Sequence, residues 1–209
     1  MAIQHLTTKV VEVNDVRSFE PASLAQGRSI KHWNAVTALL AGDLPAGLLA
    51  AWRPPGVVAW LVGFLAGLLY ANLFEYAYHR WLLHWPASSF GRGHLQHHAS
   101  VGMPEEPAHV GLGGSPLAVV IMFVANGVPI VALNLLLDAR LAPGMLVAFA
   151  VYFIVTEEVH WRYHIGGWLP SLLRSERQHH LAHHDIPNAD FAIFAPVFDC
   201  VFGTRSARR

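Results

Sequence analysis

Charged residues are scarce in this sequence, and their scarcity argues against an ordinary soluble protein. Of 209 residues, 13% are charged and 54% are hydrophobic, whereas about 25% of an average soluble chain is charged. The 14 Lys and Arg residues balance the 14 Asp and Glu residues, so there is no basic excess to neutralise phosphates. We therefore expect a single membrane-associated domain and no nucleic-acid partner.

Cysteine is nearly absent as well. Cys200 is the only one, which rules out an intrachain disulfide and a cage of thiolate ligands. Any metal site must therefore use nitrogen and oxygen ligands. Histidine, by contrast, occurs 14 times, and imidazole is the commonest metal ligand among side chains.

Long apolar stretches indicate helices that cross a bilayer. The clearest one is 57–78, which would be about 33 Å long as an α-helix, enough for a hydrocarbon core of about 30 Å. The first stretch contains Asp43 and Pro45 and could form a kinked span, a re-entrant pair of half-helices or an interfacial segment. The sequence predicts an all-α integral membrane protein with about four transmembrane helices, near 33–52, 57–78, 116–137 and 143–159.

The basic residues predict the orientation of these helices. If all four cross, every Lys and Arg except Arg53 and Arg140 falls on one side of the membrane, and that side is normally cytoplasmic. We therefore expect both termini in the cytoplasm, at the inner membrane if the source is bacterial. Residues 1–31 show no apolar leader and are expected to be a cytoplasmic segment, followed by a membrane-embedded domain over 32–209. The histidine-rich regions, 79–115 and 160–209, would form a cytoplasmic helical cap.

Ten histidines fall into four groups whose spacing suits metal binding. Residues three or four apart share a helix face, so both imidazoles of such a pair can reach one ion. His79 and His84 are five apart and diverge by about 140° on a continuous α-helix, so either one serves each metal or the helix ends between them. Ten imidazoles are too many for one ion and fit two. The predicted ligands are His79, His84, His94, His97, His98, His160, His164, His180, His183 and His184.

Other polar residues are set apart from these ligands. Carboxylates often orient metal-bound imidazoles, although a helix-end or solvated charge is the alternative interpretation for each of them here. The candidates for the orienting role are Glu75, Glu157, Asp185 and Asp199. The histidines interpreted as structural or surface residues are His5, His32, His109 and His179. No catalytic side chain is identified beyond the metal centre.

The histidine spacing resembles the fatty acid hydroxylase and sterol desaturase superfamily. The resemblance covers about residues 57–205 and includes the ending Pro196-Val-Phe-Asp199-Cys-Val-Phe-Gly203-Thr204. It implies a four-helix membrane domain with a cytoplasmic cap, in which the ten histidines surround two metal ions. Iron is expected for activity, although zinc could occupy the site in purified protein. It further implies O2 as co-substrate, a membrane lipid as substrate, and an external electron donor of the ferredoxin or cytochrome b5 type with its reductase.

Within that superfamily the spacing is closest to that of the fatty acid 2-hydroxylases and differs from that of carotenoid ring hydroxylases. The chain departs from the family pattern at Phe198, where Trp is common, in the loop 103–107, and in having no cytochrome b5 domain. Hydroxylation and desaturation share their first step, so the sequence leaves the choice between them open.

Two functions of other classes compete with an oxygenase. A metal-dependent membrane hydrolase would use metal-bound water without electrons, and the sequence does not exclude it. A metal transporter would need ligands at the bilayer midplane. The expected midplane offers little beyond Asn72, Asn126 and Asn134.

Overall fold

The structure, a computed structural model, describes residues 18–207, and within that range it is helical, with no β-strand. Most of the expected N-terminal segment, including His5, lies outside the described residues. The elements are, in chain order, α1 (Pro21–Trp52), α2 (Val57–Ala77), a π-helical turn (Tyr78–Leu83), α3 (Ser89–Ser100), a 3-10 turn (Glu106–His109), α4 (Pro116–Leu136), α5 (Ala142–Ile165), α6 (Ser171–His183) and α7 (Val197–Val201).

Four helices in the described part of the chain are long and apolar enough to cross a membrane. They are α1, α2 with its π-helical turn, α4 and α5. The shortest, α4, has 21 residues and therefore a length of about 32 Å, which matches a hydrocarbon core of about 30 Å. The predicted all-α architecture with about four spans is confirmed.

Helix α1 is longer than the apolar stretch that predicted it. It begins at Pro21, rather than near residue 33, and continues without a break through Asp43 and Pro45, so the re-entrant pair of half-helices does not form. Its 32 residues extend about 48 Å, well beyond the bilayer core. The first turns of α1 carry polar residues and pack against the 3-10 turn. Just before the helix, the Glu20 N–H donates to the Pro104 carbonyl at 2.9 Å.

Helix α5 is the centre of the bundle, because both α1 and α2 pack closely against it. Glycines allow this approach. A Cβ at Gly63 would lie 2.2 Å from the Leu141 carbonyl oxygen, and one at Gly144 would lie 2.3 Å from the Trp60 carbonyl oxygen. Such small-residue contacts are typical of helix packing in membranes. These contacts hold the start of α5 against α2, and the last turns of the same helix carry His160 and His164.

The shorter elements form what we call the histidine layer, which consists of the π-helical turn, α3, the 3-10 turn, α6 and α7. This layer contacts the ends of three long helices: the 3-10 turn packs on α1 and α5, α6 packs on α5, and α7 packs on α2. One such contact is the Arg177 Nε–H donating to the Tyr163 carbonyl at 2.9 Å. The predicted ligands lie in this layer, directly after its elements in the case of His84 and His184, or in the last turns of α5.

Candidate metal centre

A change of helix type brings the first two histidines together. The chain leaves α2 as a π-helical turn over Tyr78–Leu83, and in a π-helix the hydrogen bonds join residues i and i+5. His79 and His84, five apart, therefore face the same side, and their rings stack with centroids 5.2 Å apart. The two imidazoles lie in one cluster rather than at separate metals. Single π-helical turns of this kind are frequent at functional sites.

The ten predicted histidines converge in two groups of five. Within each group the ligand nitrogens all lie within 4.8 Å of one another. Cluster 1 consists of His79, His84, His94, His98 and His183; cluster 2 consists of His97, His160, His164, His180 and His184. The two clusters are adjacent, since the rings of His98 and His184 are 4.3 Å apart. The chain thus gathers all ten imidazoles into one double cluster.

The clusters divide the histidine groups differently from the sequence prediction. Residues four apart stay together, as His94 and His98 do in cluster 1. His97, three residues after His94, belongs to cluster 2 instead. On an α-helix, positions i+3 and i+4 lie about 100° apart around the axis, so they can reach two different ions. In α6 the same arrangement sends His183 to cluster 1 and leaves the i, i+4 pair, His180 and His184, in cluster 2.

The spacing of the ring nitrogens fits metal ions. Facing Nε2 atoms are 2.9–3.3 Å apart, for example 3.0 Å between His79 and His94 and 2.9 Å between His164 and His180. Neighbouring ligands about 2.1 Å from one ion would be separated by about 3.0 Å at right angles. An all-imidazole donor set suits zinc, iron, copper or nickel.

Burial supports the same interpretation. His97 is only 2% exposed, and neither of its ring nitrogens has a hydrogen-bond partner. Leaving a buried polar group unsatisfied costs about 1–3 kcal/mol, and an ion coordinated by the Nε2 atom would remove part of that cost. Burial, followed by neighbouring histidines, holds the pKa values of His94, His97 and His180 well below the usual 6.5. Their imidazoles are therefore neutral at pH 7 and have lone pairs free for a metal.

Backbone carbonyls orient two imidazoles of cluster 1. The Nδ1–H of His79 donates to the Phe191 carbonyl, and the Nδ1–H of His183 donates to the Ala189 carbonyl at 2.6 Å. A hydrogen bond at Nδ1 fixes the tautomer and leaves Nε2 free as a ligand. The segment 189–194 thus positions one edge of this cluster.

Two buried carboxylates hold the segment 189–194 in place. Asp199 accepts from the backbone N–H groups of Phe191 at 3.0 Å and Ala192 at 2.7 Å. Glu75 accepts from those of Ile193 at 2.9 Å and Phe194 at 3.3 Å. Both were expected to orient histidines directly, but in the structure they hydrogen-bond the backbone that does so.

Cluster 2 is oriented by a carboxylate that the sequence reasoning missed. The Nδ1–H of His164 donates to Glu106 Oε1 at 2.8 Å, and both side chains are fully buried. Glu106 lies in the 103–107 loop, which the sequence suggested only as a departure from the family pattern. The available signal was an acidic pair, Glu105 and Glu106, seven and eight residues after His98.

The remaining predicted residues lie outside the clusters. Glu157 is buried and accepts from the Gly113 N–H at 3.0 Å, whereas Asp185 is exposed. His179 contacts Ser206 at 3.1 Å and Asp190 at 3.3 Å. The histidines expected to be structural or surface residues, His32 and His109, are likewise in neither cluster.

Two cavities reach the clusters from different sides. The larger, about 250 Å³, lies between α3 and the loop 108–115 and is lined partly by His94, His97 and His160. The smaller, about 40 Å³, is almost wholly apolar, lies among α2, α4 and α5, and touches His79. Leu83 and Leu112 line both, so these two side chains separate the cavities.

Comparison with known proteins agrees with this geometry. The hydroxylase domain visible in a structure titled full-length Scs7p has the same fold, with a TM-score of 0.61 and 22% identity over 84% of this chain and 67% of that one. No curated protein sequence matches significantly. The fatty acid hydroxylase family profile matches residues 64–204. This match includes all ten clustered histidines, and the chain therefore belongs to the fatty acid hydroxylase family, the membrane-bound, metal-dependent oxidoreductases that act on lipids.

Proposed function

We propose that the chain is a di-iron, oxygen-dependent hydroxylase of a membrane lipid, either a fatty acyl chain or a related lipid. The observation that carries the proposal is the position of His79, which belongs to cluster 1 and also lines the apolar cavity among the long helices. An alkyl C–H bond resists ordinary acid–base side chains, so its hydroxylation needs a redox group. Iron ions held by the two clusters would supply the oxygen activation.

In this proposal the protein contributes the metal ligands and an apolar cavity that keeps water away from the substrate. The five imidazoles of each cluster would hold one ion, and zinc could replace iron in purified protein because all-nitrogen sites accept both. The apolar wall of Met122, Phe149 and Phe153 excludes water from the lipid chain. Leu83 and Leu112 stand where the two cavities meet, next to the clusters, and the reacting carbon passes between them.

The reaction requires electrons from outside the site. Hydroxylation inserts one atom of O2 into a C–H bond and reduces the other to water, which consumes two electrons and two protons. A separate donor of the ferredoxin or cytochrome b5 type, with its reductase, supplies them. Desaturation of the same lipid consumes the same reducing equivalents and is distinguished by its product.

The positions of Arg53 and Arg140, the two basic residues expected on the far side of the membrane, support the proposed orientation. Arg53 and Arg140 both lie near Asp138, at 3.1 Å and 3.8 Å, where α1 ends and α4 connects to α5. The histidine layer contacts the opposite ends of the long helices and carries Arg80, Arg92, Arg174 and Arg177. Under the positive-inside rule, this supports a cytoplasmic histidine layer and cytoplasmic termini.

Transport of metal ions is disfavoured by the asparagines that would have to line a path. Asn126 accepts from Tyr70 at 2.6 Å and donates to the Met122 carbonyl at 2.7 Å. Asn134 accepts from the Ala142 N–H at 2.9 Å. These amides stabilise the helix bundle, and the histidines lie at one end of it rather than at the midplane.

The test is turnover by the purified full-length chain loaded with iron, with a reductant and O2, on total membrane lipids analysed by mass spectrometry. A product heavier by one oxygen atom supports hydroxylation, and a loss of two hydrogens indicates desaturation instead. His183→Ala should abolish the product. Lipid turnover that persists without O2 would overturn the proposal in favour of a hydrolase.

A further inference from the structure

The two clusters are oriented by groups of different charge. In cluster 1 the Nδ1–H groups of His79 and His183 donate to backbone carbonyls, which are neutral. In cluster 2 the Nδ1–H of His164 donates to the carboxylate of Glu106 at 2.8 Å. The other oxygen of Glu106 accepts from the Gly102 N–H at 2.8 Å. Both oxygens thus accept N–H bonds, as an ionised carboxylate does.

A carboxylate that accepts the Nδ1–H of an imidazole changes how strongly the Nε2 of that imidazole binds a metal ion. A hydrogen bond to the carboxylate makes the imidazole a more basic ligand, and the extra negative charge favours a more highly charged ion. With both side chains fully buried, little water screens this interaction. The effect falls on cluster 2 more than on cluster 1, because His164 belongs only to cluster 2.

The fold holds Glu106 in this position through the extended start of α1. Gly27 of α1 packs so tightly on the 3-10 turn that a Cβ there would lie 2.0 Å from the Pro107 carbonyl oxygen. Nearby, the Ser23 hydroxyl donates to the Glu105 carbonyl at 3.4 Å. The polar turns of α1 that extend beyond the bilayer therefore have a function: they fix the turn that carries the carboxylate.

We infer that Glu106 is a positioning residue that makes the two metal positions inequivalent, with cluster 2 binding its ion more tightly. The inference rests on the proposed function only in that both clusters hold metal. It assigns the two ions different properties: the ion of cluster 2 is bound more tightly and is harder to reduce, while the ion of cluster 1 lies beside the apolar cavity.

The test is a titration of the metal-free, full-length protein in detergent with Fe²⁺, followed by metal analysis after dialysis. The wild type should bind in two steps of different affinity. Glu106→Gln removes the charge and keeps one acceptor oxygen, which can serve either His164 or Gly102 but leaves the other N–H without its partner. It should weaken the tighter step by about 10- to 100-fold. Glu105→Gln is the matched control, because Glu105 is the adjacent residue and is exposed; it should bind as the wild type does.

Two further measurements separate charge from folding. In Mössbauer spectra of protein loaded with ⁵⁷Fe, the wild type should show two distinct iron signals, and Glu106→Gln should shift one of them. Glu106→Asp retains the charge and should bind closer to the wild type than Glu106→Gln does. Equal affinities in the wild type, or unaltered titration and spectra in Glu106→Gln, would overturn the inference. A wild type that binds no metal would overturn the proposed function instead.

Discussion

Substitution of Asp199 by Asn should release metal from cluster 1 although Asp199 touches no ligand. The carboxylate is fully buried and accepts from the N–H groups of Phe191 and Ala192 and from the Thr204 hydroxyl at 2.7 Å. An Asn side chain has one acceptor oxygen, so at least one of these donors loses its partner. That loss costs about 1–3 kcal/mol, and the remaining bonds lose their charge assistance. The total destabilisation should be about 2–4 kcal/mol.

The effect on metal follows from what the segment 189–194 does. Its carbonyls at Ala189 and Phe191 orient His183 and His79, and movement of those carbonyls frees both rings to rotate. We expect metal content to fall from about two ions per chain toward one, with a lower unfolding temperature of the purified protein.

Asp185→Asn provides a matched control for this experiment. Asp185 follows the same histidine group but is exposed, so its substitution should leave metal content and stability unchanged. Metal content is measured by elemental analysis and stability by thermal unfolding in detergent. Full metal content and wild-type stability in Asp199→Asn, or an equal loss in Asp185→Asn, would refute the reasoning.

Three other perturbations have definite expected outcomes. His97→Ala should lose the cluster 2 ion and abolish hydroxylation, whereas His109→Ala, outside both clusters, should retain both ions; an active, fully loaded His97→Ala protein would contradict the site. Leu112→Trp should obstruct the junction of the two cavities and lower lipid turnover by about 10- to 100-fold with metal content unchanged, while Leu112→Ile stays near wild type; equal turnover in the two variants would count against the junction as the path of the lipid. The metal-free protein should lose stability as pH falls from about 6.5 toward 4, because burial lowers the pKa of His84 to about 4 and that of His98 to about 3. The unfolded chain then takes up protons that the folded chain does not. The free energy of unfolding, measured with a chemical denaturant across this pH range, should therefore fall with pH; a value that does not change with pH would contradict the reasoning.

The long helices could be predicted from the sequence because burial in lipid requires uninterrupted apolar runs. The start of α1 could not be. Residues 21–32 are largely polar, and their helical state depends on contacts such as that of Gly27 with Pro107, which join positions far apart in the chain. Pro45 suggested a break, but losing one backbone hydrogen bond does not end a helix whose neighbours pack on both sides.

The identity of the clustered histidines could be predicted, but their division between clusters could not. Spacing alone indicates which residues share a face of one helix. It does not indicate that α3 lies between two clusters, so that His94 and His97 belong to different ones. The pairing of His79 with His84 also depends on a π-helical turn, and no local pattern predicts that turn. Glu106 was missed for a similar reason, since its partner His164 is 58 positions away.

The exchange of histidines between clusters has a consequence for how the histidine layer folds. Helix α3 contributes His94 and His98 to cluster 1 and His97 to cluster 2, and α6 is divided in the same way. Histidines are prominent among the buried side chains of both helices. Because apolar burial there is small, we expect metal coordination to supply part of the folding energy of this layer. Each cluster takes ligands from both helices, so an ion bound in either cluster would help to hold both helices in place.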